Sequence, residues 1–268
     1  GRDALYAIGQ GGVSFAPGKS NEHQDSELFF ASLNYQNSEV RLHWSEQGFG
    51  DYFGLSSSLA EPGDDIRRDN TYWYVDGSQL LTLSDQADLR LSGGYQFFRG
   101  DFNNIMVQPP GYSLTIPPIP FFGFPGMSVV YPDGILASTH YEEERYDAGA
   151  TFTYRGDHHT LLAGAEYSRV EDTESTGSIN LDLLNPNPLF AILPLPDIRE
   201  YPGAVSSLIE GQVREIISGY LQDEYVLHDR VTVTAGARYD RYSDVKDSVN
   251  PRLAVVYELS EHNTLKAQ

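Results

Sequence analysis

From Arg230 to Asp240 the sequence reads RVTVTAGARYD, and every second side chain is apolar: Val231, Val233, Ala235, Ala237 and Tyr239 alternate with Thr232, Thr234, Gly236, Arg238 and Asp240. Period-two alternation predicts a β-strand with one apolar and one polar face. The same division recurs elsewhere. Tyr146, Ala148, Ala150, Phe152 and Tyr154 oppose Asp147, Gly149, Thr151 and Thr153. Leu89, Leu91, Gly93, Tyr95 and Phe97 oppose Arg90, Ser92, Gly94 and Gln96. Residues 161–168 and 252–259 divide in the same way. The pattern predicts an all-β chain of about ten or eleven strands.

The connections alternate between short and long. Short polar turns are expected at Asn37–Glu39, Asp85–Asp88, Arg155–His159, His228–Asp229 and Ser260–His262. Long connections are expected over about 49–70, 99–143 and 170–215, with a modest one at 241–249. A soluble sandwich has no reason to sort loop lengths by end, whereas an outer-membrane barrel has tight turns at one rim and large loops at the other. Tyr35, Tyr154, Tyr225 and Tyr257 stand one to three residues before short turns, as an interfacial aromatic girdle requires. Arg90, Glu166, Arg238 and Glu258 are expected mid-strand on the polar face, where a sandwich core would reject them and a wet lumen would not. Two stretches fit less well. Asp223 shares a face with Leu221, Tyr225 and Leu227, and a bulge or a protein-covered position would be needed to accommodate it. Residues 1–27 read either as a strand and loop or as a turn and loop.

Composition sharpens this picture. Hydrophobic content of 40% and a mean hydropathy of −0.39 fit a barrel whose alternate strand residues face a polar lumen. No apolar run reaches the ~18–20 residues of a spanning helix; Leu183–Leu195 is broken by Pro186, Pro188 and Pro194. With 18 basic and 38 acidic residues the formal charge is −20, the wrong sign for a nucleic-acid partner. The acidic residues gather in the expected loops, where a solvated surface is the simplest reading. Cysteine is absent, so no disulfide framework is available. The chain starts at Gly1-Arg2-Asp3 without an export signal and stops within a strand-like segment, which reads as an internal piece of a longer precursor.

Candidate chemistry is sparse. The two long connections hold 12 of the 15 prolines and the aromatic residues Tyr112, Phe121, Phe122, Phe124, Tyr131 and Phe190. Two roles stay open for these: ligand capture at the outer mouth, or packing of the loops against one another. No nucleophile elbow, phosphate-binding glycine loop or zinc-spaced histidine set is present, so neither catalysis nor a cofactor is expected. His158 and His159 are adjacent in a turn and point to opposite faces. His140, beside Glu142–Glu144, could hold a cation but reads more simply as part of a solvated loop.

The last third resembles the barrel of TonB-dependent outer-membrane receptors. The resemblance rests on Tyr220, Gln222, Asp223, Glu224 and Tyr225, then Thr234, Gly236, Arg238, Tyr239 and Asp240, then Asn250, Pro251, Arg252 and Leu253. It is specific over about 50 residues and diffuse elsewhere. It implies that residues 1–268 are part of a 22-stranded barrel plugged by a separate N-terminal domain. It also implies uptake of a ferric siderophore or cobalamin-like nutrient, with outer-membrane lipid and a TonB-type energy-transducing protein as partners. The plug and the segment that meets TonB have no counterpart in this sequence. Two other readings are a complete ten-stranded outer-membrane hydrolase, which needs a carboxylate–histidine set at the outer rim, and a soluble all-β binding module.

Overall fold

A computed structural model describes residues 16–50, 66–118, 121, 123, 125–202 and 211–268. One large antiparallel sheet dominates it. In chain order the strands are β1 (Gln24–Tyr35), β2 (Ser38–Gly50), β3 (Arg67–Ser84), β4 (Ala87–Gln108), β5 (Tyr112–Ile116), β6 (Met127–Tyr131), β7 (Ile135–Arg155), β8 (His159–Leu181), β9 (Pro194–Pro202), β10 (Val213–His228), β11 (Val231–Tyr242), β12 (Ser248–Ser260) and β13 (Asn263–Ala267). A single helical turn, α1 (Pro188–Ala191), precedes β9. The sheet has eleven strands in the order β1-β2-β3-β4-β7-β8-β10-β11-β12-β13, with β9 paired to the far end of β8. β5 and β6 form a separate hairpin. Nearest-neighbour antiparallel pairing along the chain is what short turns dictate.

The short turns fall where the alternation places them: Gln36–Asn37, Asp85–Gln86, Gly156–His158, Asp229–Arg230 and Glu261–His262 separate successive strands. The long connections are shorter than expected. β4 continues to Gln108, β7 begins at Ile135 and β8 continues to Leu181, so much of 99–143 and 170–181 is strand. The backbone ladder persists there from Asp101↔His140 to Gln108↔Ile135 and from Glu142↔Glu174 to Ala137↔Ile179. Hydrogen-bonded pairing does not require an apolar face, so alternation of side chains marks only part of a strand's length. Two bulges on β4, beginning at Phe102, re-aim this extension, and Asn104 there has a φ of +51°.

Face assignment follows the alternation. On β11, Ala235, Ala237 and Tyr239 are exposed, Gly236 and Arg238 are half-buried and Asp240 is buried. Leu221 and Leu253 point the same way as Tyr239 and are 55% and 62% exposed. Arg90, Glu166 and Arg238 all lie on the other face, as the pattern predicts. Glu258 is an exception in position: it is exposed and stands two residues from the end of β12, beside the short turn, not mid-strand. Within 1–27 only residues 16–27 are described; "DALYAIGQGGVSF" lies outside the described residues.

The sheet encloses no apolar core among the described residues. Among the described residues, the buried hydrophobic cluster is Val129, Tyr131 and Ile135, at the long-loop rim. Val107, Tyr112, Leu114, Met127, Ile179, Leu181, Ile192 and Leu193 pack against it. This cap is built from the β5–β6 hairpin, residues Ile192 and Leu193 just after α1, and the extended ends of β4, β7 and β8.

Candidate functional site

Alternate residues of β2, β3, β4, β7, β8, β10 and β11 line a trough of about 750 Å³. Its wall includes Arg41, Arg90, Arg145 and Arg238 against Glu39, Asp76, Asp147 and Glu166, four charges of each sign. The chain's excess of acid therefore lies elsewhere. The charges are ordered in short bridges: Arg41–Asp76 at 2.8 Å, Arg145–Asp147 at 2.9 Å and Arg238–Glu166 at 2.8 Å. Arg90 donates to Ser78 Oγ at 3.1 Å. Partly exposed pairs of this kind contribute about 0–1 kcal/mol each. Their effect is to present a hydrophilic surface without a strong net field.

The motif residues divide between the two faces. Tyr220 lies inside: its hydroxyl and that of Thr151 are 2.8 Å apart, and its ring occupies the space a Cβ on Gly164 would need. The Arg238 guanidinium stands 5.8 Å from that ring. Asp240, 6% exposed, accepts from Ser218 at 2.6 Å, from Arg238 at 2.7 Å and from Asn250 at 3.4 Å. The spacing between the Arg-Tyr-Asp and Asn-Pro-Arg segments thus joins β11 to β12 through one buried carboxylate. Gln222, Gly236 and Arg252 are register partners on neighbouring strands, and Glu224 pairs with Thr234. Pro251 stands near the start of β12, opposite Ala237 of β11, where proline is better tolerated than in a strand centre.

Asp223 does share the outer face with Leu221 and Tyr225, and the β10 bulge lies beyond it, at Val226/His228. What accommodates the carboxylate is His159, whose Nδ1 is 2.8 Å from Asp223 Oδ2 and whose ring stacks on Tyr225 at 4.5 Å. His158 remains in the turn, where its carbonyl accepts from the Val226 N–H at 2.8 Å.

Of the six aromatic loop residues, the structure brings two together. Tyr131 is 1% exposed, stacks on Tyr112 at 5.7 Å and donates to the Ile192 carbonyl at 2.6 Å. Burial, with Tyr112 beside it, pushes the Tyr131 phenol above the ordinary tyrosine range. These two side chains pack the cap. Phe121 and Phe190 are 91% and 52% exposed on its surface; Phe122 and Phe124 lie outside the described residues. Nothing in the sequence singles out Tyr201 and Asn180, yet they tie the cap to the sheet. Tyr201 is fully buried and donates to the Leu181 carbonyl at 2.5 Å. Asn180 accepts from the Leu136 N–H and donates to the Gly134 carbonyl, both at 3.0 Å.

Between cap and trough, Tyr141 donates to Glu143 at 2.8 Å and to Asp172 at 3.3 Å. Burial pushes the Asp172 carboxyl up, and neighbouring Glu143 adds to this while the Tyr141 hydroxyl opposes it.

The outer face carries an aromatic row that the turn-flanking tyrosines alone do not reveal. Trp73 and Tyr95 are 5.0 Å apart and Tyr95 and Tyr146 are 4.9 Å apart, ring to ring. The exposed phenols of Tyr146, Tyr167 and Tyr239 donate to Glu144, Glu215 and Asp247 at 2.6, 2.7 and 2.5 Å. A second row, Tyr35, Tyr154, Tyr225 and Tyr257, is exposed beside the short turns. Tyr146 and Tyr154 are eight residues apart on one strand (154 − 146). That spacing is the signal the sequence carries for the first row.

The family described as "TonB dependent receptor-like, beta-barrel" matches residues 9–268. No curated protein is significantly similar in sequence. Among solved structures, a ferric enterobactin receptor (PfeA) mutant from Pseudomonas aeruginosa is similar at 14% identity, covering 93% of this chain and 41% of its own, with a TM-score of 0.41. The copper transporter OprC is 12% identical, with coverage of 90% and 42% and a TM-score of 0.49. BauA, the ferric preacinetobactin receptor from Acinetobacter baumannii, is 13% identical, with coverage of 91% and 39% and a TM-score of 0.44. The chain therefore spans about two fifths of the length of these proteins.

Proposed function

The chain belongs to the TonB-dependent receptor β-barrel family, and from that membership we propose that it forms part of the wall of a receptor importing a scarce nutrient, a ferric siderophore or a cobalamin-like ligand. The family places it in the bacterial outer membrane. The observation that carries the transport reading is the opposition of two faces: an apolar outer one between two aromatic rows, and a polar, charge-balanced inner one. Eight residues correspond to about 27 Å along a strand, or about 20 Å at the usual barrel tilt, close to the apolar band of about 25 Å in such barrels. Lipid then covers the outer face from one row to the other. The short turns face the periplasm and the cap faces outside.

In this reading a plug domain outside residues 1–268 seals the trough, further strands complete a 22-stranded wall, and a TonB-type protein relays energy to the plug. Ligand is captured at the cap and passes along the trough when the plug moves. Balanced charge suits a passage, since a solute must enter without being held. A hydrolase is not favoured. The adjacent pair His158 and His159 serves the wall beside the short turns, and His140, on the cap side, faces Asp101 and Glu142 outside the trough.

The test is to express the full-length receptor in a strain deleted for it, with and without a functional TonB-type protein. Growth would be measured on defined ferric siderophores and on cobalamin. Energised, TonB-dependent uptake of one of these is expected. Uptake indifferent to the energy transducer would overturn the reading, as would no growth on any ligand of either class.

A further inference from the structure

On the outer face of β7 and β8, beyond the aromatic row on the cap side, we propose a divalent transition-metal site formed by His140, Glu142 and Glu174. His140 and Glu142 are two residues apart on β7 and share a face with Glu144 and Tyr146. Glu174 is the direct partner of Glu142 across the β7–β8 ladder. It reaches that face because β8 holds one extra residue there: Glu142 pairs with Glu174 and Glu143 with Asp172, leaving Thr173 unpaired. The site is thus on the opposite side of the wall from Tyr141, Glu143 and Asp172, and it has no part in the trough.

The three side chains converge closely enough to share one ion. His140 Nε2 is 3.5 Å from Glu142 Oε1 and 3.9 Å from Glu174 Oε2. One ligand atom from each of the three residues lies within 4.8 Å of the others. These separations are too long for good hydrogen bonds. Ligands about 2.1 Å from a metal at tetrahedral angles are about 3.4 Å apart, so the His140–Glu142 separation already fits such an edge and Glu174, an exposed side chain, needs to move inward to complete it. The imidazole is also aimed. Its Nδ1 is 2.7 Å from Asp101 Oδ1, and Asp101 accepts from Arg99 at 2.7 Å. Asp101 stands outside the ligand set, on β4, as the register partner of His140. A carboxylate on one imidazole nitrogen fixes the tautomer and turns the other nitrogen's lone pair toward the metal, the arrangement found behind metal-bound histidines.

The donor set selects the ion. One imidazole nitrogen and two carboxylate oxygens suit Zn²⁺ or a neighbouring divalent transition ion, whereas Ca²⁺ takes oxygen ligands alone. His140 is only 20% exposed, while Glu174 is 55% exposed and leaves a path from solvent. Remaining positions on the ion are open to water or an external ligand.

The experiment is equilibrium binding of Zn²⁺ to the purified full-length receptor in detergent at neutral pH, with Co²⁺ absorption as a geometric readout. Wild type should bind one more equivalent than either His140→Ala or Glu174→Gln. Asp101→Asn should keep that equivalent while weakening it about 10–100-fold. A tenfold excess of Ca²⁺ should not displace the ion. Glu174→Gln alters an exposed side chain, so it reports on the site even if His140→Ala perturbs the strand. Equal stoichiometry in wild type and Glu174→Gln would overturn the proposal, and so would displacement by Ca²⁺. Neither result bears on transport, because the trough residues are untouched.

Discussion

The wall and the cap use the same apolar residue types in opposite ways. In the wall, Leu221, Tyr239 and Leu253 point away from the sheet, and the enclosed side is a row of arginines, carboxylates and serines. In the cap, Val129, Tyr131 and Ile135 point at one another and exclude water. The difference teaches where stability comes from in each part. Cap residues gain by leaving water for protein, at roughly 25 cal/mol per Å² of apolar surface. On the proposed reading wall residues gain by leaving water for lipid, and within the sheet they depend on the ladder. Each part is therefore sensitive to a substitution the other tolerates.

The largest effect is expected at Tyr131→Ala. It removes a ring buried to 1% exposure and leaves the Ile192 carbonyl without its donor. By analogy with other buried aromatic truncations the cost is about 3–5 kcal/mol, confined to the cap. Hydrogen exchange should rise over β5, β6 and α1 while β10 and β11 keep their protection. Uniform protection in both regions would remove the distinction between cap and wall.

Next comes Leu221→Arg on the outer face. An arginine near the bilayer midplane of a barrel costs about 2–4 kcal/mol. Denaturant titration of the receptor in lipid should show this loss, whereas Gln222→Arg, the adjacent inward position, should change stability little. Equal losses at both positions would show that the two faces do not meet different solvents.

A smaller effect, about 1–3 kcal/mol, is expected for Gly164→Val, because the Tyr220 ring stands where a Cβ would be. Ring displacement should also free Thr151, and near-ultraviolet circular dichroism would register the change. Pairing the substitution with Tyr220→Ala should restore most of the loss, which a purely backbone effect would not allow.

Smallest is Asp76→Asn, which breaks the Arg41–Asp76 bridge at 2.8 Å on the trough wall. A stability change of about 0–1 kcal/mol is expected from denaturant titration. A loss several times larger would mean that the inner charges hold the wall together instead of merely wetting it.

Much of the wall is legible in the sequence because alternation is a direct record of two solvents. The run from Val231 to Asp240 announces both a strand and the direction in which each of its side chains faces. The short-turn tyrosines are equally plain, as Tyr154 and Tyr225 show. The strand extensions are not legible. In 99–108 and 170–181 the ladder continues where the outer face is no longer apolar, so the alternation that betrays a strand fades while its hydrogen bonds do not. His140 reads as part of a solvated loop for that reason, whereas it belongs to β7 and is half-buried. The cap is half legible. Its prolines and aromatics mark a built loop, but the choice between packing and capture at Tyr131 turns on neighbours more than 60 residues away, such as Ile192.

By itself, then, the sequence determined the strands, their two faces, the order of short and long connections and the family motif of the last third. These are local properties, set by a two-residue period and by turn chemistry. Tertiary structure alone decided how far each strand runs, which aromatics close the cap, and that Asp223 meets His159 while His140 meets Glu174. Those outcomes depend on register between strands and on a one-residue bulge, and no pattern along a single strand encodes where its partner will slip by one.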